Sequence, residues 1–169
     1  PTMPLLRSAF VLLLGLLLGA CASRTPLPAS APRLSLPLSL HIQRAQGGTS
    51  ADWLLVVQAE GTALRWSLFD PLGVPLARQL LDDGQWRNDG LLPPNAEARE
   101  LFAALLFALT PSAELAQRYP QGDWQLAGAD QRRLKPDWRI DYRTPLHFTL
   151  NTPPDLHYQV VPLQPEESP

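Results

Sequence analysis

The stretch Leu34-Ser35-Leu36-Pro37-Leu38-Ser39-Leu40-His41-Ile42-Gln43 alternates apolar and polar residues without a break. Successive side chains of an extended chain point to opposite faces, so Leu34, Leu36, Leu38, Leu40 and Ile42 share one face and the polar set shares the other. This is the pattern of a half-buried strand, and it points to a mainly β chain. Pro37 has no N–H to give to a ladder and belongs at an edge or a bulge.

Toward the C-terminus the same pattern recurs between turn signals. Gly47-Gly48 leads into Asp52 to Glu60, where Trp53, Leu55, Val57 and Ala59 oppose Leu54 and Val56, so both faces are apolar. Thr62 to Asp70 places Leu64, Trp66 and Leu68 on one side, and Pro71-Leu72-Gly73 turns the chain into Val74 to Leu81. Asp82-Asp83-Gly84 is a second hairpin turn before Gln85-Trp86-Arg87, and Asn88-Asp89-Gly90 a third. These segments read as an antiparallel meander. Pro93-Pro94 ends it, and Asn95 is placed to cap a helix over Ala96 to Leu109, with Glu97 and Glu100 in the first turn.

The second half of that helix carries no polar residue. Leu101, Phe102, Leu105, Leu106 and Leu109 form one broad face, while Ala103, Ala104 and Phe107 make the opposite face apolar too, which requires burial all round. A second helix is expected from Ser112 to Arg118. Strands follow at Trp124 to Ala127, Gln131 to Lys135, Trp138 to Arg143, Leu146 to Leu150 and Leu156 to Leu163. The domain is expected over residues 34–163, with residues 164–169 an acidic, proline-bounded, disordered tail.

Toward the N-terminus, Ala22 to Pro32 is small and proline-rich, without periodicity, and reads as an extended tether through residue 33. Before it, Arg7 precedes the apolar run Ala9 to Ala20, the order of a secretory signal over residues 1–20. The run is shorter than the roughly 20 apolar residues that span a bilayer. Leu18-Gly19-Ala20-Cys21 resembles the lipobox of bacterial lipoproteins, a resemblance that implies cleavage before Cys21 and acylation of its thiol. Cys21 is the only cysteine, so an anchor there leaves no thiol for a disulfide or a metal. Two or more acyl chains give stable anchoring. The absence of an aspartate after Cys21 resembles lipoproteins sent to the outer membrane, which implies a location on its periplasmic face. Translation is expected to begin at Met3, the single methionine.

Without residues 1–20 the chain holds 13 Lys+Arg against 16 Asp+Glu, which argues against a nucleic-acid partner. The charge clusters Asp82-Asp83 and Asp130 to Lys135 read as solvated turns. His41 and His147 lie on the polar sides of their strands. The sequence has no Gly-x-Ser-x-Gly elbow, no His-Glu-x-x-His and no glycine-rich phosphate loop. No catalytic residue, metal or cofactor is therefore expected, and the chain is read as a monomer without enzymatic activity.

The order of a lipobox, a proline-rich tether, a strand meander, a helix pair after Leu91-Leu92-Pro93 and closing strands resembles the LolA/LolB superfamily of periplasmic lipoprotein carriers. Within it, Leu68-Phe69-Asp70-Pro71-Leu72-Gly73 and the Asp-Asp-Gly-Gln hairpin are similar to a family of gammaproteobacterial outer-membrane lipoproteins of unknown function, often encoded in aryl polyene pigment clusters. The resemblance implies a strongly curved antiparallel sheet or incomplete barrel, with two or so helices closing an apolar cavity for acyl chains. The cavity would be lined by Trp53, Leu55, Trp66, Leu101, Phe102, Leu105, Leu106 and Leu109. The alternative for the helix is plain core. Leu72 matches the exposed leucine by which the superfamily's outer-membrane receptor acts on the membrane; the alternative is a turn leucine folded back on Trp66 or Val74. The implied partners are the outer membrane, an acyl-chain or lipoprotein cargo and a periplasmic carrier protein. A non-catalytic scaffold of an envelope complex is the competing function.

Overall fold

The computed structural model describes residues 24–163. The expected signal segment over 1–20, the expected acylation site Cys21 and the expected tail 164–169 lie outside the described residues. Ten strands form one antiparallel sheet: β1 Leu38–Gln46, β2 Thr49–Glu60, β3 Ala63–Phe69, β4 Pro75–Asp82, β5 Gln85–Asn88, β6 Trp124–Leu126, β7 Gln131–Leu134, β8 Trp138–Thr144, β9 His147–Thr152 and β10 Leu156–Pro162. Between β5 and β6 come helix α1 (Ala96–Leu109), a 3-10 turn (Ser112–Glu114) and the single-turn helix α2 (Leu115–Arg118). No helix among the described residues is long and apolar enough to cross a membrane.

The order across the sheet is β5-β4-β3-β2-β1-β10-β9-β8-β7-β6. It consists of two meanders joined where β1 pairs with β10, through Leu40 opposite Pro162 and Ile42 opposite Val160. The first strand starts at Leu38 rather than at Leu34. Pro37 cannot donate to the ladder, and the first pair is Leu38 with Val57. Leu34 and Leu36 still pack against the core cluster. At the other end of β1, Gly47 and Gly48 both take positive φ, 56° and 79°, which sets a two-residue hairpin turn and extends β2 back to Thr49.

Ten strands at about 4.8 Å spacing would span roughly 43 Å if the sheet were flat. Both edge strands nevertheless touch the same helix: Trp86 of β5 lies 6.0 Å from Phe102, and Trp124 of β6 lies 6.4 Å from Phe107. The sheet therefore wraps around α1. It is not closed into a barrel, since β5 and β6 are the two ends of the strand order. The inward faces carry Leu40, Ile42, Leu55, Trp66, Leu68, Ile140, Phe148, Leu150, Tyr158 and Val160, all at most 1% exposed.

Residues 24–33, expected within an extended, flexible tether, lie against the domain. Thr25 is 5% exposed, Pro28 and Pro32 are buried, and Leu27 packs on the core cluster. The N–H and hydroxyl of Thr25 both donate to the Glu100 carboxylate, at 2.8 and 2.5 Å, and the hydroxyl accepts from Trp138 Nε1 at 2.8 Å. Further along, the Ala29 N–H donates to the Arg118 carbonyl at 2.7 Å, and Arg118 donates to Ser30 Oγ at 2.6 Å. Low sequence complexity concealed this because prolines have no N–H to satisfy and can lie flat on an apolar surface.

Candidate functional site

The concave interior centres on α1. Its start is set by Asn95, whose Oδ1 accepts from the Ala98 N–H at 3.0 Å. Its end is held by Arg132 of β7, a residue that the sequence places within a solvated charge cluster and the structure buries to 8% exposure. Arg132 Nη1 donates to the Phe107 carbonyl at 3.1 Å and the Thr110 carbonyl at 2.8 Å, and Nη2 donates to Ser112 Oγ at 2.9 Å. Its guanidinium also lies 5.0 Å from the Tyr142 ring and 5.7 Å from that of Phe107. The last carbonyls of a helix have no partner within it and carry partial negative charge, so a buried cation is stabilised there without an acid. Tyr142 OH adds a bond to the Ala108 carbonyl at 2.7 Å. Burial pushes the Tyr142 hydroxyl up to about 12, against the opposing pull of Arg132.

The polar first half of α1 is tied to three parts of the molecule. Glu97 accepts from Arg44 Nε at 2.5 Å and from Tyr158 OH at 2.6 Å. Burial disfavours the Glu97 carboxylate, but the bonds from Arg44 and Tyr158 outweigh it and hold the carboxyl below its ordinary range. Burial, followed by the Glu97 bond, raises the Tyr158 hydroxyl far above the usual tyrosine value. Arg99 donates to Gln79 Oε1 and Asn88 Oδ1, both at 2.8 Å, on β4 and β5. Glu100 holds Thr25. The helix is thus fixed at both ends by polar groups, while its apolar middle needs only packing.

Of the residues expected to line a cavity, Leu55, Trp66, Leu101, Phe102, Leu105 and Leu106 are at most 1% exposed and belong to one core cluster. Trp53 and Leu109 are half-buried against it. Phe102 stacks on Trp66 at 5.3 Å, and Trp86 meets the Trp66 ring edge-on at 6.2 Å. Trp66 Nε1 is a buried donor without a hydrogen-bond partner among the described residues. At 1% exposure or less the six are enclosed by the protein's own atoms.

Two clefts of about 610 Å³ each lie to the sides of this interior. One, beside the end of α1, includes Leu109, Arg132 and Tyr142 in its lining. The other is crossed by a polar row on the outer face of the sheet, Gln125, Arg133, Arg139, Asn151 and His157, which the strand register sets side by side. Arg139 is neutralised by Asp141 at 3.1 Å. Alternation in these strands could have placed the row on one face, but only the register aligns it. Among the described residues, no three His, Cys, Asp or Glu side chains are grouped to hold a metal ion. His41 Nε2 lies 2.8 Å from Asp52 Oδ1 on the solvated face.

Leu72 stands 89% exposed at the β3–β4 turn. The turn is rigid: Asp70 Oδ1 accepts from the N–H groups of Leu72 and Val74, both at 2.9 Å, and the Asp70 carbonyl accepts from Gly73 at 3.0 Å. Gly73 takes φ +82°, open to glycine at little cost. Val74 (52%) and Leu91 (105%) are exposed as well.

The family model of a protein of unknown function, DUF3261, matches residues 39–159. The chain belongs to the DUF3261 family. The matched range runs from the second residue of β1 to within three residues of the end of β10, so DUF3261 takes in both meanders and α1 together. No curated protein and no solved structure matches the chain.

Proposed function

We propose that the protein is a LolA/LolB-like lipoprotein, anchored through Cys21 in the periplasmic face of the outer membrane. On this reading it binds acyl chains of a lipid, lipoprotein or lipid-linked polyene without chemical turnover and helps deliver them to that membrane. The observation that carries it is α1: an amphipathic helix would suffice to pack on one sheet, yet residues 101–109 are apolar on every side and sit inside a curved sheet. The partnerless Trp66 Nε1 supports the same reading, because an ester or amide carbonyl is the kind of acceptor it lacks. A rigid turn presenting Leu72 to solvent suits insertion into the acyl boundary of a bilayer. A periplasmic carrier handing over the cargo completes the proposed route.

Native mass spectrometry of residues 22–169 recovered from the periplasm tests this. Bound species of acyl-chain mass are expected. Repeated recovery of empty protein from lipid-rich cells counts against the carrier and favours a non-catalytic scaffold of an envelope complex. One observation favours the scaffold: Leu101, Leu105 and Leu106 are 0% exposed, so the chain's own side chains already surround them.

A further inference from the structure

The strand register gathers four hairpin turns at one end of the sheet: Gly47-Gly48, Asp70 to Val74, Lys135 to Asp137 and Pro153 to Asp155. Leu91 belongs to this rim too, because β5 runs toward it and the Asp89 N–H already bonds the Arg78 carbonyl beyond the last β4–β5 pair. Thr25 is held at the same end, through Trp138, the residue that follows the third turn, and Glu100 in the first half of α1. From there the segment runs away from the rim. Pro28 to Ala31 line a cleft with Thr62, Asp83 and Gly84, the turns of the opposite end. The chain preceding Thr25 therefore departs at the rim that exposes Leu72, Val74 and Leu91.

Four residue steps separate Cys21 from Thr25, a reach of about 14 Å when fully extended. We infer that the Thr25 clamp is an orienting device: it presses this rim, with Leu72, Val74 and Leu91, onto the bilayer that holds the Cys21 lipid. This rests on the proposed acylation of Cys21. A domain hung from a free segment of residues 21–33 would tumble; a domain clamped at Thr25 presents one end. The turns of the rim carry Asp70, Lys135, Asp137 and Asp155, three acids against one lysine, so apolar insertion rather than attraction to anionic lipid holds it.

The test uses the full acylated protein in phosphatidylcholine vesicles containing lipids brominated in mid-chain. A nitrobenzoxadiazole dye is attached to Leu91→Cys at the rim or to Thr62→Cys at the far end. Dye at position 91 is expected to be quenched roughly twofold or more, and dye at position 62 to be unaffected. Equal quenching at both positions, or none at position 91, overturns the inference. An eight-residue Gly-Ser insertion between Ser23 and Arg24 leaves the clamp and the fold intact while lengthening the reach. It is expected to cut the position-91 quenching several-fold by lowering the effective concentration of the rim at the membrane. Thr25→Val is expected to act in the same direction, and unchanged quenching in the insertion variant rejects the orienting role whether or not Thr25→Val folds. Palmitate labelling separates the two readings: no label on the wild type defeats the anchor itself, whereas label without quenching at position 91 defeats only the oriented rim.

Discussion

Leu105 and Leu72 are the same residue at opposite extremes of exposure, 0% in α1 and 89% at the β3–β4 turn. Leu105 is surrounded because a wrapped sheet, the segment 24–36 and α2 enclose the helix. Leu72 is exposed because Asp70 binds the turn's own N–H groups and Gly73 lets the chain reverse within it. Enclosure is collective and costly to disturb, whereas display is local and nearly independent of the core. Substitutions in the two regions should therefore separate stability from the proposed action on a membrane.

The largest effect is expected at the interior. Leu105→Ala should destabilise the domain by about 2–5 kcal/mol, read from denaturant unfolding midpoints, because neighbours on all sides cannot collapse into the space. A loss below about 1 kcal/mol would show that the neighbours of Leu105 yield around the shortened side chain.

Arg132→Met comes next, with an expected cost of about 1–3 kcal/mol, since the carbonyls at the end of α1 lose a buried donor. Hydrogen exchange of the last turn of α1 should speed up with it. Unchanged protection there would mean that Thr110 and Tyr142 alone hold that end.

Asn95→Ala removes one cap bond and should cost about 1 kcal/mol in thermal unfolding. Asn95→Gly should recover most of that loss.

The pH dependence is smaller and has a sign on each limb. Glu97 is held below its ordinary value of 4.5, so its stabilisation is present above that value and is lost as pH falls through the depressed one. Tyr158 is raised, so its contribution is present below the ordinary value of 10.0 and is lost as pH rises above it. Glu97→Gln should flatten the acid limb of a stability–pH curve. An acid limb identical to wild type would remove Glu97 from the account.

The smallest stability effect is expected at the tip. Leu72→Glu should leave stability within about 0.5 kcal/mol and yet block transfer of bound lipid to vesicles. A large fall in melting temperature would instead make Leu72 part of the fold.

Local signals in the chain carried far. Alternation placed Leu40, Ile42, Leu55, Trp66 and Phe148 on inward faces, glycine pairs and Asp-Asp-Gly marked hairpins, and Asn95 to Leu109 was readable as a capped helix, because each depends on neighbours a few residues apart. The same local rules misplaced the start of β1, where a continued alternation gave no sign that the ladder waits for Leu38. They also left Arg132 among solvated charges, since its partners are carbonyls more than 20 residues away. The sequence by itself determined a mainly β chain with one helix too apolar to face water, because alternation and composition act residue by residue. Only the tertiary structure decided that the sheet wraps around that helix, that Thr25 ties the leading segment to Glu100 and Trp138, and that Leu72 and Leu91 share one rim. Those outcomes depend on strand register and on groups distant in sequence, such as Thr25 and Trp138, whose meeting no local pattern encodes.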